Sequence, residues 1–460
     1  MKKLSKFLDL VVAIYIIIQP ILDSISYLQG RYLSNVISLS SLIRTFFLGL
    51  MIIVLLCKDK RKEVFILLIF FITYLGGQVL LNKNGLFSSL NSLLTVFYLP
   101  VSLLFFKNRD NKYLNLRVIT YIYLGYLSII IIPYLFKYGN YASNFYEGKS
   151  GFYGLFYGGN EISNILVILL PLVIEYLKER KDLFLIILVF LELMGCIYLV
   201  GTKTIIMGSI LVSIYYLGKY YKSLDKRFRR WLVTLGVIGI ILLIIVLPKL
   251  NVYKNIMMAI NYYNLSIKEI FSLKGLDKLV FSGRLEILGK VNGLYMKSNW
   301  SNIFLGLSNS YINVYKGIEI DIFDIFYTVG ILGIGVYIYL SYKGLKKSKM
   351  KEPYLVSLVL GVLISLVTGH VLMSPNVSIY LGVFLLLNNN SKKIKEKIVM
   401  EDKNNSKISI SFRKLNKSKA FKILELPDID DMIMYLDDEY ELLKKIEVKL
   451  PTDDNEFRRI

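Results

Sequence analysis

Apolar residues occur along this chain in long blocks, which short polar segments separate. A block of about twenty apolar residues is long enough for an α-helix to cross the roughly 30 Å hydrocarbon core of a membrane. The pattern therefore predicts an all-α polytopic membrane protein with about twelve transmembrane helices. The predicted spans are residues 8–28, 36–57, 64–82, 86–106, 116–136, 160–177, 183–201, 204–219, 231–248, 323–342, 354–373 and 375–389.

The positions of lysine and arginine predict how these helices are oriented. Basic segments such as "KDKRK", "KERK" and "KGLKKSKMK" fall between alternate spans. Cytoplasmic loops of membrane proteins are enriched in Lys and Arg, so both termini are predicted to be cytoplasmic and the chain to lie in the cytoplasmic (inner) membrane. The same bias accounts for most of the net charge of +22, and no nucleic-acid partner is predicted.

Two segments on the predicted outer side are long. One covers residues 137–159, and the other covers residues 249–322, between spans nine and ten. Long loops in compact proteins usually carry function, so we expect the outer face to be the working side. Residues 254–280 mix apolar and Lys positions with helical spacing, and we expect them to lie as amphipathic helices at the membrane interface.

The composition changes after residue 390. Residues 391–460 are predicted to form a cytoplasmic linker and an acidic tail, in which residues 421–460 either dock a partner as a short helix or stay disordered. Cys57 and Cys196 both lie in apolar runs, and the single histidine is His370. Neither a disulfide framework nor a metal site of clustered histidines is predicted, and no cofactor is expected.

Charged residues inside the spans are candidate functional groups, because an unpaired charge in a membrane costs several kcal/mol. Arg44 lies in the middle of span two, with Asp23 and Glu192 as possible partners on other spans. A structural ion pair and a contact with substrate are both open for Arg44. His370 lies near the outer end of span eleven, where it is either a hydrogen-bonded packing residue or part of a cavity.

Cations and carboxylates are also found on the predicted outer side. Lys203 in "GTKT" and Arg284 in "SGR" could bind a pyrophosphate, or they could be an interfacial and a solvated loop charge. Glu319 and Asp321 directly precede span ten. A carboxylate there could take a proton from a sugar hydroxyl, although acids are also common at helix N-termini. That second interpretation fits Asp324 best.

Several stretches resemble, in the same order and at matching topological positions, the O-antigen ligase and O-antigen polymerase superfamily. The resemblance covers roughly residues 8–390, and "GHVLMSPNVSIYLG" is similar to the polymerase-like members. The other stretches that carry it are "GFYGLFYGGNEISNILVILLPL", "LVGTKTIIMGSI", "FSGRLEILGKVNGLYMKSNWSNIFLGLSNSY" and "IEIDIFDIFYTVGILGIGVYIYL".

The resemblance implies a GT-C-type, inverting glycosyltransferase that needs no metal. Such an enzyme moves a glycan from an undecaprenyl-pyrophosphate carrier to an acceptor at the outer membrane face. The loop histidine usual in the family falls at Glu319 here, and Lys203 stands where arginine is usual. This departure favours a polymerase over a ligase. The implied site residues are Glu319 and then Asp321 as base, Arg284, Lys203 and Arg44 on the pyrophosphate, and Asn160, His370 and Asp23 along the cavity.

Three alternatives remain at this stage. A ligase would transfer the glycan to another acceptor. A lipid-linked glycan transporter would fit the number of spans, but not the large loop or the absence of a visible sequence repeat. A scaffold of polysaccharide assembly would dock through the acidic tail. As a minor variant of the enzyme, Glu319 and Asp321 could present oxygen ligands to Mg²⁺.

Overall fold

The computed structural model describes residues 2–33, 38–57, 61–141, 151–221, 247–249, 251–309 and 317–391. Within these ranges the regular structure is helical, apart from an isolated β-bridge between Tyr141 and Phe152. The helices are α1 (Lys2–Ile17), α2 (Gln19–Tyr32), α3 (Leu39–Cys57), α4 (Arg61–Gly76, continued by a π-helical turn at Gly77–Leu81), α5 (Leu86–Phe106), α6 (Leu116–Leu135), α7 (Gly159–Arg180), α8 (Leu183–Val200), α9 (Lys203–Tyr221), α10 (Asn251–Tyr262), α11 (Ile267–Ile270), α12 (Leu273–Leu279), α13 (Arg284–Met296), α14 (Trp300–Leu305), α15 (Asp321–Leu345), α16 (Glu352–Ser365) and α17 (residues 375–391).

Seven of the described helices are long and apolar enough to cross a membrane. They are α3, α4 with its π-helical turn, α5, α6, α7, α8 and α15. Helices α1 and α2 are bent by 54° at their junction and make an eighth if they form one broken span. The protein is therefore a polytopic membrane protein, as predicted.

The remaining predicted spans differ from the helices in the structure. The predicted span at 204–219 corresponds to α9, and the one at 375–389 to α17. The span predicted over 354–373 is shorter in the structure, because α16 ends at Ser365 and an irregular segment follows. All but the last two residues of the span predicted over 231–248 lie outside the described residues, and so does the tail predicted over 421–460. The count of twelve stays a prediction.

Helices α5, α7 and α17 form the centre of the bundle. In the most apolar 18-residue stretch of each helix, 78% of α5 and 72% of α7 is buried, against 28% of α3, α4 and α8. Helix α5 packs against α15 and α3, and α7 packs against α16, α6 and α9. The outer helices expose large apolar side chains such as Phe46, Ile72 and Phe190, which suits contact with lipid tails rather than water.

Side-chain hydrogen bonds identify the two ends of the bundle. At one end, Asn111 donates to the carbonyl of Asp9 (2.6 Å) and Asn390 donates to that of Asn111 (2.8 Å). We call the other end the loop face, since it carries residues 151–158, 251–309, 317–320 and 366–374. There Asn251 donates to the carbonyl of Tyr198 (3.1 Å). The segment predicted to be amphipathic, 254–280, is helical in α10, α11 and α12.

Helix α15 is broken at Gly330, which has φ +68° and ψ −171°. The break lies against Gly306, whose φ is +80°, and a Cβ on Gly330 would come within 2.4 Å of the Gly306 nitrogen. The amide of Ser308 donates to the carbonyl of Thr328 (3.1 Å), and Gln78 Nε2 donates to that of Gly306 (2.8 Å). Backbone groups released by the break therefore find partners inside the protein, as a membrane interior requires.

Candidate active site

Three charged side chains from separate segments meet at the loop face. Arg284 begins α13, Glu319 lies two residues before α15, and His370 lies between α16 and α17. Arg284 donates from Nη2 (2.6 Å) and Nε (3.2 Å) to Oε2 of Glu319. His370 Nε2 lies 3.8 Å from the other carboxylate oxygen, Oε1. We call these three residues the charged cluster; it combines two residues predicted for catalysis and pyrophosphate binding with one predicted for the cavity.

The backbone of the charged cluster is in an unusual conformation. Glu319 and His370 both have φ +58°, in the left-handed region. Gly369 has φ +63°, and a Cβ there would come within 2.5 Å of the Glu319 carbonyl oxygen. Left-handed conformations at residues other than glycine cost about 1–3 kcal/mol each and gather at functional sites. Seven other non-glycine residues among those described also have positive φ, so the strain marks the charged cluster as a candidate site only together with its charges.

The turn before α13 positions Arg284. Ser282 (φ +58°) and Gly283 (φ +82°) turn the chain into the helix, so that Arg284 is its first residue. Lys203 donates to Ser282 Oγ (3.1 Å) and to the carbonyl of Leu279. Lys203 thus supports the turn that carries Arg284. The sequence predicted these two residues as the cations that bind the pyrophosphate together.

Arg284 is also fixed from its other side. Its Nη1 donates to the carbonyl of Val367 (2.8 Å), and its side chain is only 8% exposed, whereas that of Glu319 is 38% exposed. The guanidinium is therefore buried, whereas the carboxylate and the His370 ring, which is 41% exposed, reach the surface.

The structure places Asp321 beneath the charged cluster. Its two carboxylate oxygens accept hydrogen bonds from the amides of His370 (2.7 Å), Val371 (2.8 Å) and Leu372 (2.6 Å). Asp321 is only 2% exposed. This geometry makes it a positioning residue for His370, and its role as an alternative base stays a prediction. Asp324 accepts from the amide of Ile318 (3.0 Å), which fits the helix-entry interpretation.

The contacts of the charged cluster set its protonation. Burial raises the pKa of Glu319, but the nearby His370 and Arg284 outweigh burial and lower this pKa from 4.5 to about 2. Burial lowers the pKa of His370, but Glu319, Glu161 and Asp321 outweigh burial and raise this pKa from 6.5 to about 9. At neutral pH the charged cluster therefore holds two cations and one anion, and Glu319 is a weak proton acceptor while both cations hold it.

A second ion pair, between Arg44 and Asp23, lies in the bundle. Arg44 Nη2 donates to Asp23 Oδ1, and Tyr126 donates to Asp23 Oδ2 (3.2 Å). The two side chains are 12% and 8% exposed. Of the two partners that the sequence offered for Arg44, the structure gives Asp23. The other, Glu192, accepts a hydrogen bond from Ser128 (3.4 Å).

A cavity of about 240 Å³ lies beside this ion pair. Asp23, Arg44, Glu161 and Asn376 line it, and a second cavity of about 150 Å³ lies on the other side of Arg44. Of the three residues predicted to line a substrate cavity, Asp23 lies on the wall of this one. The lining of these two cavities does not include Asn160, which is half-buried in the first turn of α7, or His370.

One irregular segment, residues 366–374, lies between the charged cluster and the cavity, and it contains His370. Asn164 Nδ2 donates to the carbonyl of Gly369 (2.9 Å), and Glu161 accepts from Ser374 Oγ (2.8 Å) and Asn376 Nδ2 (3.2 Å). Sequence reasoning did not select Glu161 or Asn164. The two residues are three positions apart, which places both on one helix face. This spacing of two polar residues could have indicated them in the sequence.

No family model matches the chain, and no curated protein or solved structure matches it. The family resemblance therefore rests on the sequence stretches quoted above. Among the described residues, no group of three or more His, Cys, Asp or Glu side chains could hold a metal ion.

Proposed function

We propose that the protein is a polymerase that joins undecaprenyl-pyrophosphate-linked oligosaccharides at the outer face of the cytoplasmic membrane, in the biosynthesis of a cell-surface, capsular or exopolysaccharide. The observation that carries this proposal is the charged cluster. It places a half-exposed carboxylate between two cations, on a strained backbone, at one end of a membrane helix bundle. In this proposal residues 1–390 form the catalytic domain with twelve spans, and the loop face lies outside the cell.

The proposed binding step uses the cations. Arg284 is the group best suited to the donor pyrophosphate, because a guanidinium binds phosphate oxygens with two parallel hydrogen bonds. His370 adds a second positive charge from the other side of Glu319. Lys203 supports the turn that carries Arg284 and adds a third charge nearby. The contribution predicted for Arg44 is the weakest, since Asp23 already compensates its charge.

The proposed chemical step uses Glu319. When the pyrophosphate draws Arg284 and His370 away, the pKa of Glu319 rises from about 2 towards its ordinary value of 4.5, and the carboxylate becomes a better base. The acceptor hydroxyl passes its proton to Glu319, and its oxygen bonds to the anomeric carbon from the face opposite the carrier. The bond between that carbon and the pyrophosphate oxygen breaks, and its electron pair stays on undecaprenyl pyrophosphate. The cations stabilise this growing charge, and the configuration at the anomeric carbon inverts.

This order of events makes donor binding a condition for activation of the acceptor. Before the donor arrives, Glu319 is bound to Arg284 (2.6 Å) and accepts a proton poorly. An acceptor hydroxyl, including that of water, is then not activated. Such an arrangement keeps the base inactive in the empty site and forms it only around a bound pyrophosphate.

The experiment is a comparison of polymer length in cells that carry the wild-type protein, Glu319→Gln or Asp321→Asn. Membrane levels are checked by blot, surface glycan is separated on a gel, and the lipid-linked pool is extracted. We expect Glu319→Gln to leave single repeat units on the carrier and to reduce chain growth by about 10²- to 10⁴-fold, the range for loss of a general base. Glu286→Gln is the matched control, since Glu286 is an exposed carboxylate of α13 paired with Lys278 and Lys290.

Each other outcome points to a different function. Chains of normal length in Glu319→Gln would remove Glu319 as the base and, with it, the proposed mechanism. Chains that form but stay on the carrier would make the protein a ligase that transfers the glycan to another acceptor. Repeat units that fail to reach the outer face would make it a transporter.

A further inference from the structure

The cavity beside Arg44 has no role in the chemical step above. It lies between α2, α3, α7 and α17, and two carboxylates and one guanidinium line it: Asp23, Glu161 and Arg44. The charges at its wall therefore sum to minus one. A site of this sign disfavours a pyrophosphate and tolerates a neutral or cationic ligand.

The lining offers both donors and acceptors of hydrogen bonds. Ser26, Gln29 and Ser38 add polar groups to the charged ones, and Tyr157, a 59% exposed ring, forms part of the wall. Arg44 lines this cavity and the second one, so a ligand here lies against its side chain.

The size of the cavity limits the ligand. At about 240 Å³ it is smaller than the roughly 300–1,000 Å³ pockets that hold drug-sized molecules. It therefore suits one ring rather than an oligosaccharide. Sugar rings carry hydroxyl groups that both donate and accept, which matches a wall that mixes carboxylates, amides and a guanidinium.

The cavity is connected to the charged cluster through the irregular segment 366–374 and the first turn of α17. Glu161 and Asn376, which line the cavity, hydrogen-bond each other (3.2 Å). Asn164, one turn after Glu161, holds the carbonyl of Gly369 (2.9 Å), next to His370. A ligand that contacts Glu161 and Asn376 is thus bound beside the end of the segment that also carries His370.

We propose that this cavity binds a single sugar residue, neutral or carrying an amino group, and does not bind the pyrophosphate. The assignment of that sugar to the acceptor glycan rests on the proposed function. The binding itself does not, because it follows from the volume, the charge and the polar lining of the cavity. Arg44 accordingly belongs to the wall of a sugar site.

The test is protection of an introduced cysteine in the purified full-length protein. Cys57 is exposed and Cys196 is buried, so Cys57→Ser gives a background with no exposed cysteine among the described residues. Ser26→Cys places a thiol at the cavity, and Ser348→Cys places one at the opposite end of the bundle as a control. The thiols react with a small uncharged methanethiosulfonate in the presence of N-acetylglucosamine, glucosamine or inorganic pyrophosphate.

We expect both sugars to slow labelling at Ser26→Cys and not at Ser348→Cys. The rate should fall by the factor one plus ligand concentration over Kd, about tenfold at ten times Kd. Pyrophosphate should leave both rates unchanged. Protection by pyrophosphate equal to that by the sugars would overturn the proposal, and so would labelling that no sugar slows. A thiol that never reacts would show that ligands cannot enter, which also overturns it.

Glu161→Gln tests the charge of the site, because it removes one carboxylate and keeps an acceptor for Ser374 and Asn376. Glucosamine should lose more of its protection than N-acetylglucosamine, and equal losses would contradict the electrostatic part of the proposal.

Failure of the proposed function would be recognised separately. Normal polymer in Glu319→Gln, together with sugar protection at Ser26→Cys, would leave a sugar-binding protein whose reaction is a different one.

Discussion

Two of the arginine–carboxylate pairs among the described residues share their chemistry and differ in their surroundings. Arg44 and Asp23 lie inside the bundle, with exposures of 12% and 8%. Arg284 is equally buried, at 8%, but its partner Glu319 is 38% exposed and has His370 on its other side. The first pair compensates its charge locally. The second belongs to a cluster with one excess positive charge at neutral pH.

This difference separates a structural ion pair from a candidate for chemistry. A buried pair must stay closed, because opening it leaves a charge without water or partner. The two cations beside a half-exposed carboxylate can exchange that carboxylate for another anion, because water reaches the carboxylate once it is released. The left-handed backbone at Glu319 and His370 reinforces the contrast, since strain of this kind persists where a particular side-chain position is required.

The largest expected effect is on the structural pair. Asp23→Asn leaves the Arg44 charge uncompensated in the bundle and should lower the free energy of unfolding by about 3–5 kcal/mol. Glu319→Gln should lower it much less, because water reaches its side chain and Arg284 keeps the carbonyl of Val367. Thermal unfolding of both variants in the same detergent measures this. Equal losses would show that the two pairs do not differ in the way argued here.

The next largest effect concerns Arg284. Arg284→Gln removes the main cation for the leaving group, and the initial rate of chain growth should fall by about 10²- to 10³-fold. Arg284→Lys keeps the charge but loses the planar fork that contacts both Glu319 and Val367, so it should recover only part of that loss. Lys290→Gln, an exposed α13 residue paired with Glu286, is the control and should leave the rate unchanged. Full activity in Arg284→Lys would reduce its role to that of a point charge.

A smaller effect is expected at the glycine that packs against Glu319. Gly369→Ala forces a side chain into a left-handed conformation and within 2.5 Å of the Glu319 carbonyl oxygen, so it should cost about 1–3 kcal/mol of stability. Gly335→Ala is the matched control, because nothing lies within 4 Å of its Cβ position and alanine favours a helix. A loss in Gly335→Ala equal to that in Gly369→Ala would contradict the close packing argued for the charged cluster.

Much of the fold could be predicted from the sequence, because its spans are long apolar runs with their own signal. The bend between α1 and α2 and the break of α15 at Gly330 were not predicted. The bend between α1 and α2 has a local signal, since Pro20 lies at the start of α2 and Gln19 Nε2 donates to the carbonyl of Tyr15 (3.1 Å). The break of α15 depends on contacts with Gly306 and Ser308, which are remote in sequence. The early end of α16 at Ser365 has the same cause, since Arg284 and Asn164 hold the carbonyls of the segment that follows.

The site was also partly predictable, because charges beside apolar spans are visible in the sequence. Glu319, Arg284 and Lys203 attract notice as charges beside membrane spans, and the structure brings Arg284 and Glu319 into contact. The sequence does not show that His370 would approach Glu319, because fifty residues separate them and the contact depends on three backbone amides held by Asp321. Glu161 was missed because an acid at the start of a helix looks like an ordinary helix terminus.

The smallest predicted effect is a pH dependence that isolates His370. Its pKa in the folded protein, about 9, lies above the ordinary 6.5, so its charge stabilises the fold fully below pH 6.5 and ceases to do so as pH rises through about 9. Glu319, with a pKa lowered from 4.5 to about 2, contributes fully above pH 4.5 and does not titrate in this range. Because both side chains are half-exposed, the loss of unfolding free energy should be about 1 kcal/mol or less.

Thermal unfolding of wild type and His370→Gln, below pH 6.5 and above pH 9, measures this loss. The variant should lose less stability at alkaline pH, since tyrosines and lysines titrate alike in both proteins. Identical losses would mean that His370 is not held as a cation beside Glu319, and the charged cluster would then have no excess positive charge with which to attract a pyrophosphate.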